Sequence, residues 1–143
     1  MTSSDSETEL MRELLQSARF IAIVGASNKP HRASFGVMQF LQTKGYRCIP
    51  VNPRLAGETL LGETVVPDLA GITEHIDIVD VFRNSNDAAE VVDDAIAAGA
   101  GAVWMQLGVI NEAAARRARA AGLAVVMDRC PAQEWGRLKL DRN

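Results

Sequence analysis

The 143-residue chain has the length of one ordinary globular domain, and its 48% hydrophobic residues suffice for a full apolar core. A net charge of −3 disfavours a broad basic surface for nucleic acid or for an anionic membrane, so any anion site has to be local. No apolar run approaches the roughly 20 residues of a membrane span, and the polar, acidic start does not resemble a signal peptide. The expected compartment is therefore the cytoplasm.

The cysteines give no sign of a metal site or of a disulfide framework. Cys48 and Cys130 lie far apart, without a CxxC motif and without a cluster of cysteines and histidines. This spacing argues against zinc binding and against the disulfide pattern of small secreted proteins. We expect both thiols to be reduced.

The first third of the chain predicts a helix, a buried strand and a second helix. Residues 1–8 are expected to form a mobile terminus, followed by a short helix over residues 9–17. The apolar run at residues 20–25 is typical of a parallel strand that is buried on both faces. Ser34 is expected to cap the next helix, which ends at Gly45.

Strands and helices alternate over the rest of the chain. Further strands are predicted at residues 47–51, 76–82, 102–107 and 124–127, with a small edge strand at residues 63–66. Helices are predicted between them, one ending at Gly99, one running from Asn111 to near Gly122, and a short one carrying Trp135. This pattern predicts a single α/β domain over residues 9–143, a doubly wound, mainly parallel Rossmann-like sheet of five to six strands with helices on both faces.

The strand order places a ligand site at one edge of this sheet. In the common order 3-2-1-4-5-6, the strand at residues 63–66 is the third and the strand at residues 76–82 is the fourth. The first and fourth strands then flank the point where the order reverses, and ligands bind there at the carboxyl ends of the strands. We expect residues 25–27, 52–54 and 82–84 to converge at this point.

The turn after the first strand predicts a phosphate site. Gly25 precedes a loop with Lys29, His31 and Arg32, and the loop leads into a helix N-terminus, where free N–H groups attract anions. We expect Gly25 and Arg32 to contact phosphate, because a guanidinium makes bidentate contacts with it, and we expect Lys29 and His31 to be solvated. The Ser27 hydroxyl suits a phosphate and its own turn equally well.

The loop departs from the dinucleotide fingerprint G-x-G-x-x-G. Ser27 and Pro30 occupy the later glycine positions, and Asn52-Pro53-Arg54 stands where an acid would bind a ribose hydroxyl. The departure disfavours NAD, whereas Arg54 suits a ribose with an extra phosphate, as in NADP or the 3′-phospho-ADP part of coenzyme A (CoA). Pairing of Arg54 with Glu58 is the competing interpretation.

Five motifs are distributed over the strand ends. They are V-G-A-S-x-x-P-x-R-x-S at residues 24–34, V-N-P-R at 51–54, D-V-F-R at 80–83, W-x-Q-x-G at 104–108 and D-R-C at 128–130. Together they resemble the small stand-alone CoA-binding proteins, which are similar to the N-terminal CoA-binding domain of the succinyl-CoA synthetase α subunit. The resemblance covers about residues 12–139 and does not extend to the synthetase's ligase domain with its phosphorylated histidine.

The resemblance implies Rossmann-like binding of CoA or an acyl-CoA. It places the cofactor-binding residues at the phosphates (Gly25, Ala26, Ser27, Arg32, Ser34), beside the adenosine (Asn52, Pro53, Arg54) and along the groove (Phe82, Arg83, Gln106). Because the ligase domain and its ATP-grasp partner have no counterpart here, we assign neither acyl-CoA ligation nor a catalytic residue, and we assign no metal ligand.

Two other functions stay open beside a CoA-binding module. The chain could be an enzyme, either an NADP-dependent oxidoreductase or a CoA-dependent transferase completed by a partner chain, or it could be an interaction protein with an empty site. A protein partner or a second copy could pack on the alanine-rich helix near residue 115. No nucleic acid or membrane partner is expected.

Three further polar residues have structural interpretations. Asp77 and Asp80, three positions apart on one strand, point to opposite faces and are expected to cap helices or to pair with basic residues such as Arg83. Cys130 follows Arg129, which favours a thiolate, but a small buried residue is the favoured interpretation over a mixed disulfide with CoA.

Overall fold

The computed structural model describes residues 3–140 and contains a five-stranded parallel sheet with helices on both faces. The strands are β1 (Phe20–Val24), β2 (Arg47–Val51), β3 (Thr59–Leu60), β4 (Glu63–Thr64), β5 (Ile78–Val81), β6 (Ala102–Met105) and β7 (Ala124–Val126). The helices are α1 (Ser3–Ser17), α2 (Ala33–Thr43), α3 (Ala88–Ala97), α4 (Glu112–Ala120) and α5 (Pro131–Arg137). The order in the main sheet is β2-β1-β5-β6-β7, so β1 and β5 are neighbours, as predicted.

Each face of the sheet supports its own apolar core. On one face, Ile21 and Ile23 of β1 pack with Leu15 of α1 and Leu41 of α2, and α5 adds Trp135. On the other face, α3 and α4 cover the sheet with small and branched side chains (Val91, Val92, Ala95, Ala114, Ala118). Full burial of a Leu, Ile or Val side chain contributes about 1.5–3 kcal/mol, so both layers stabilise the doubly wound arrangement that the sequence predicts.

The predicted edge strand at residues 63–66 is not a strand of the main sheet. β3 and β4 form a separate antiparallel pair, and only Val66 makes a single parallel bridge to Val51. Leu61 and Gly62 both adopt positive φ, which turns the chain back on itself, and Pro67 offers no amide to continue a ladder. The main sheet therefore has five strands, and the third position of the order 3-2-1-4-5-6 is not filled by a strand.

The first helix is longer than the sequence predicts. α1 begins at Ser3 and not at residue 9, and it contacts the C-terminal part of the chain through Glu7, whose carboxylate lies 2.8 Å from the Arg129 guanidinium. Arg12 of the same helix donates a hydrogen bond to the Leu138 carbonyl at 3.2 Å. Residues 1–2 of the terminus expected to be mobile lie outside the described residues, and its mobility stays a prediction.

No helix in the part of the chain that the structure describes combines the length and the apolar character needed to cross a membrane.

Candidate functional site

A groove runs along the carboxyl edge of the sheet, where β1, β2 and β5 end. It consists of two adjoining hollows of about 400 Å³ and about 730 Å³. Both hollows are lined by residues of the three predicted segments, namely Gly25, Asn52, Arg54 and Phe82, together with Arg32. The predicted convergence of these strand ends is therefore observed.

The remaining predicted residues divide between the two hollows, with one exception. Ala26, Ser27 and Ser34 line the smaller hollow only, and Pro53 and Arg83 line the larger hollow only. Gln106 lines neither hollow, and its side chain is buried. Its Oε1 atom has no hydrogen-bond partner among the described residues.

Glycine is required at position 25 by the close approach of the neighbouring strand end. The φ angle of Gly25 is +88°, and a Cβ atom there would lie 2.8 Å from the Phe82 carbonyl oxygen. Any larger residue would therefore both strain the turn and push Phe82 out of the groove. The amides of Gly25 and Ala26 donate to the Val51 carbonyl at 3.0 and 3.3 Å, so they are not the free donors that the sequence predicts.

The free donors lie further along the same loop. Asn28, Ala33 and Ser34 line the smaller hollow, and their backbone amides have no hydrogen-bond partner among the described residues. Two of them belong to the first turn of α2, where N–H groups lack helical partners and the helix dipole is positive. The unpaired backbone donors of this loop therefore lie at Asn28 and at the start of α2, and not at the glycine turn itself.

Ser34 supports this loop and does not cap α2. The position preceding the helix is Arg32, which makes no side-chain cap, and the buried Ser34 hydroxyl accepts the Ser27 amide at 3.0 Å. Ser27 in turn accepts the Lys29 amide at 3.1 Å. The Ser27 hydroxyl therefore satisfies its own turn as an acceptor, and its proton is still able to bind a phosphate oxygen.

Three cations surround the smaller hollow without a carboxylate to neutralise them. Lys29, Arg32 and Arg54 all line it, and none of them forms an ion pair with a described residue. Glu58, the predicted competitor for Arg54, instead accepts a hydrogen bond from Asn28 Nδ2 at 3.5 Å. Like charges held this close without counter-ions favour binding of an anion that carries several charges.

Asn52 links the second strand end to the glycine turn. Its side-chain amide donates to the Ala26 carbonyl at 2.8 Å, and its Oδ1 accepts the Arg54 amide at 2.8 Å. Both halves of the side chain are therefore used structurally, and they set the position from which Arg54 leaves the sheet. Asn52 therefore positions Arg54 beside the groove.

Part of the lining of the larger hollow is negatively charged, because it consists of carboxylates. Arg83 is paired with Asp87 at 3.0 Å and so does not reach Asp80 or the smaller hollow as a free cation. Three more carboxylates line this hollow, contributed by the segment before the short 3₁₀ turn at residues 69–71 and by α3 (Asp68, Glu90, Asp94). Sequence reasoning missed these residues because only the packing of α3 beside β5 brings them to the groove.

Asp77 lies beside a basic residue, as predicted, whereas Asp80 does not. Asp77 Oδ1 is 3.6 Å from His75 Nε2, and its Oδ2 accepts the amides of Arg19 and Phe20 at 2.9 and 3.0 Å, so it also caps the start of β1. Asp80 is fully buried, and neither of its carboxylate oxygens has a partner among the described residues. Burial raises the pKa of the Asp80 carboxyl well above its ordinary range, which favours the protonated acid.

The thiols are not poised for reaction. Burial raises the pKa of Cys48 to about 12, with smaller contributions from Asp80 and Glu63, so the thiolate is strongly disfavoured. Cys130 is also buried, at the position before α5, in agreement with its predicted structural role. Within residues 3–140 there is no group of three or more His, Cys, Asp or Glu side chains that could hold a metal ion.

Comparison with known proteins gives concordant matches. The model of a family described as "CoA binding domain" matches residues 19–136. YneT, an uncharacterised protein of Bacillus subtilis (strain 168), is 38% identical over 120 residues, which are 84% of this chain and 87% of YneT.

Solved structures agree with the fold. A hypothetical protein from Pyrococcus horikoshii OT3 is 39% identical, with a TM-score of 0.88 over 93% of this chain and 92% of that one. The dinucleotide forming acetyl-coenzyme A synthetase 1 of Ca. Korarchaeum cryptofilum, in complex with phosphate and ADP, is 23% identical with a TM-score of 0.70. That match covers 80% of this chain and 26% of the synthetase, and it supports the fold alone.

Proposed function

The chain belongs to the CoA binding domain family, and from this membership we propose that it binds CoA or an acyl-CoA in the groove at the carboxyl edge of its sheet. The ligand extends across the strand ends, as ligands of doubly wound sheets do at the point where the strand order reverses. Binding is the whole of the proposed activity, with no catalytic step, and the cytoplasm is the proposed compartment.

The observation that carries this proposal is the set of unpaired donors around the smaller hollow. Lys29, Arg32 and Arg54 are cations without a described counter-ion, and the free amides at the start of α2 lie beside them. CoA carries a diphosphate and a separate 3′-phosphate, so it is matched to a site with several cations. Arginine is suited to this task because its guanidinium binds phosphate with two parallel hydrogen bonds.

The geometry supports separate sites for the two phosphate groups of CoA, one after β1 and one after β2. We assign the diphosphate to Arg32, the Ser27 hydroxyl and the free amides of the loop, because all of them line the smaller hollow. Arg54 follows β2, where the acid that binds a ribose hydroxyl in NAD sites is missing, so we assign the 3′-phosphate to Arg54. Pro53 and Phe82 then border the adenosine and the pantetheine arm, respectively.

Calorimetric titration with CoA, 3′-dephospho-CoA, NADP and NAD at one salt concentration tests the proposal. We expect CoA to bind most tightly and to lose affinity without its 3′-phosphate. In Arg32→Ala, loss of a charged hydrogen bond to phosphate is expected to weaken CoA binding by about 1.5–3 kcal/mol. Arg54→Ala is expected to weaken CoA binding by a similar amount, but to have little effect on 3′-dephospho-CoA.

Arg116→Ala is the matched control, because Arg116 is an exposed cation of α4 without an ion pair in the described residues and does not line the groove. This variant is expected to bind CoA as the wild type does. Binding of NADP but not of CoA would contradict the proposal and favour an oxidoreductase. A folded, ligand-free sample that binds none of the four would favour an interaction protein, and enhanced binding with a second chain would favour the transferase.

A further inference from the structure

Two aliphatic side chains are exposed at the end of the strand next to the groove. Leu107 and Ile110 follow β6, and each has 48% of its surface exposed, whereas Val109 between them is buried. Residues 107–110 carry no charge. We call the surface formed by Leu107 and Ile110 the apolar patch.

The chain holds the apolar patch outward by hydrogen bonds on both sides. The Ser85 hydroxyl accepts the Ile110 amide at 3.0 Å and donates to the Gly108 carbonyl at 3.3 Å. The Gly108 amide donates to Asp128 Oδ1 at 2.8 Å, and Asn111 Nδ2 donates to the Ser85 carbonyl at 2.9 Å. These contacts fix the backbone on both sides of Leu107 and Ile110, so the two side chains stay exposed unless another molecule covers them.

The apolar patch lies on the path that the proposed ligand takes out of the groove. β1, β5 and β6 are adjacent in the sheet, so the patch is two strand spacings, or about 10 Å, from the glycine turn after β1. Arg54 lies on the opposite side of β1, after β2, and there it fixes the 3′-phospho-ADP end of CoA. The pantetheine arm therefore leaves past Phe82, and Ser85 joins that strand end to the patch.

We propose that the apolar patch binds the acyl chain of an acyl-CoA whose chain is uncharged and aliphatic. The proposal rests on CoA binding in the groove. Two half-exposed side chains offer far less than the roughly 800 Å² per partner of a standard protein interface, so they suit a small aliphatic group better than a protein partner. The Asp128 carboxylate beside Gly108 disfavours a chain that ends in a carboxylate, so succinyl-CoA is a poorer ligand than an aliphatic acyl-CoA of similar length.

The test is a calorimetric series of CoA, acetyl-, butanoyl-, hexanoyl-, octanoyl- and succinyl-CoA on the wild type and on two double variants. Each buried methylene is expected to raise wild-type affinity about fourfold. The polar variant, Leu107→Ser with Ile110→Ser, is expected to bind every chain length within about twofold of free CoA, which it binds as the wild type does. The control variant, Leu107→Met with Ile110→Val, keeps the surface apolar and is expected to retain the series.

The outcomes separate this proposal from the proposed function. No binding of any CoA species refutes both. A wild type that binds CoA with affinities independent of chain length refutes the acyl site alone, and so does a chain-length series that persists in the polar variant. Light scattering completes the test, because a wild-type dimer that the polar variant no longer forms would show that a second copy covers the patch and would overturn the proposal.

Discussion

Replacing Asp80 with asparagine is expected to remove a pH dependence that the buried carboxyl gives to the stability of the wild-type protein. Burial raises the pKa of Asp80 in the folded protein, whereas the same carboxyl in the unfolded chain titrates near 3.9. Between these two pKa values the folded state keeps a proton that the unfolded state has released. The free energy of unfolding therefore falls as the pH rises.

The change in the free energy of unfolding per pH unit is set by the one proton that the folded state keeps and the unfolded state has released. The stabilising contribution of protonated Asp80 is fully present below the unfolded pKa and is lost as the pH rises toward the folded pKa, by about 1.4 kcal/mol per pH unit. Asparagine has nearly the same shape and no proton to lose. The stability of Asp80→Asn relative to the wild type is therefore expected to increase by the same amount per unit over this interval.

Urea unfolding of both proteins from about pH 5 to about pH 8 measures this difference. In this range the Cys48 thiol, whose pKa burial raises to about 12, stays protonated in the folded state of both proteins. Asp77→Asn is the matched control, because the Asp77 side chain is partly exposed and an asparagine oxygen can still accept its two backbone amides, so this substitution removes a carboxyl group that is not fully buried. Parallel pH profiles for the wild type and Asp80→Asn would refute the reasoning and show that the folded protein holds Asp80 ionised.

Two further substitutions, each with a control, test the loop between β1 and α2, to which we assign the phosphate contacts. Gly25→Ala is expected to cost about 1–3 kcal/mol of strain for its positive φ, and more because its Cβ would lie 2.8 Å from the Phe82 carbonyl oxygen. Gly122→Ala, at φ +92° with no atom within 4 Å of the new Cβ, costs the φ term alone, so equal losses in urea unfolding would contradict the close approach. Ser34→Ala leaves the Ser27 amide without its acceptor and is expected to cost about 1–3 kcal/mol, whereas Ser27→Ala, which affects an exposed amide, costs less. Thermal unfolding of both serine variants measures this order, and a reversed order would show that the Ser34 hydroxyl does not hold the loop.

The sequence predicts those features of the fold and of the candidate site that a short stretch of residues determines by itself. The buried strand over Phe20–Val24, its glycine turn and the cations Arg32 and Arg54 are encoded in short stretches, so their place at one end of the sheet follows from the strand and helix pattern. The donors that stay free could not be predicted in this way. The Gly25 and Ala26 amides are occupied by Val51, a partner 25 residues away or more, and this contact depends on the pairing of β1 with β2.

The wrong predictions have the same physical origin. β-branched residues at positions 63–66 suit a strand, but the positive φ of Leu61 and Gly62 turns them into a separate hairpin. Arg83 was expected to pair with a strand aspartate such as Asp80, yet it pairs with Asp87, four positions further along the chain. Gln106, which follows β6, is buried and lines neither hollow, and its predicted contact with the ligand stays a prediction.

Added salt is expected to raise the thermal stability of the ligand-free protein and to lower its affinity for CoA. The reason is that the cations around the groove have no counter-charge in the free protein and are neutralised by phosphates in the complex. Several arginines elsewhere in the described chain have carboxylate partners, such as Arg47 with Glu74 at 2.7 Å, but Arg32 and Arg54 line the groove without an ion pair to a described residue. Added salt shortens the Debye length from about 10 Å at 0.1 M to about 3 Å at 1 M, so it screens the repulsion between these cations in the free protein and their attraction for phosphates in the complex. We therefore expect thermal unfolding of the ligand-free protein to move upward with sodium chloride while the calorimetric affinity for CoA falls, and Arg32→Ala to reduce both slopes. An affinity for CoA that does not change with salt would mean that phosphate contacts contribute little to binding, and the anion site assigned to this loop would have to be abandoned.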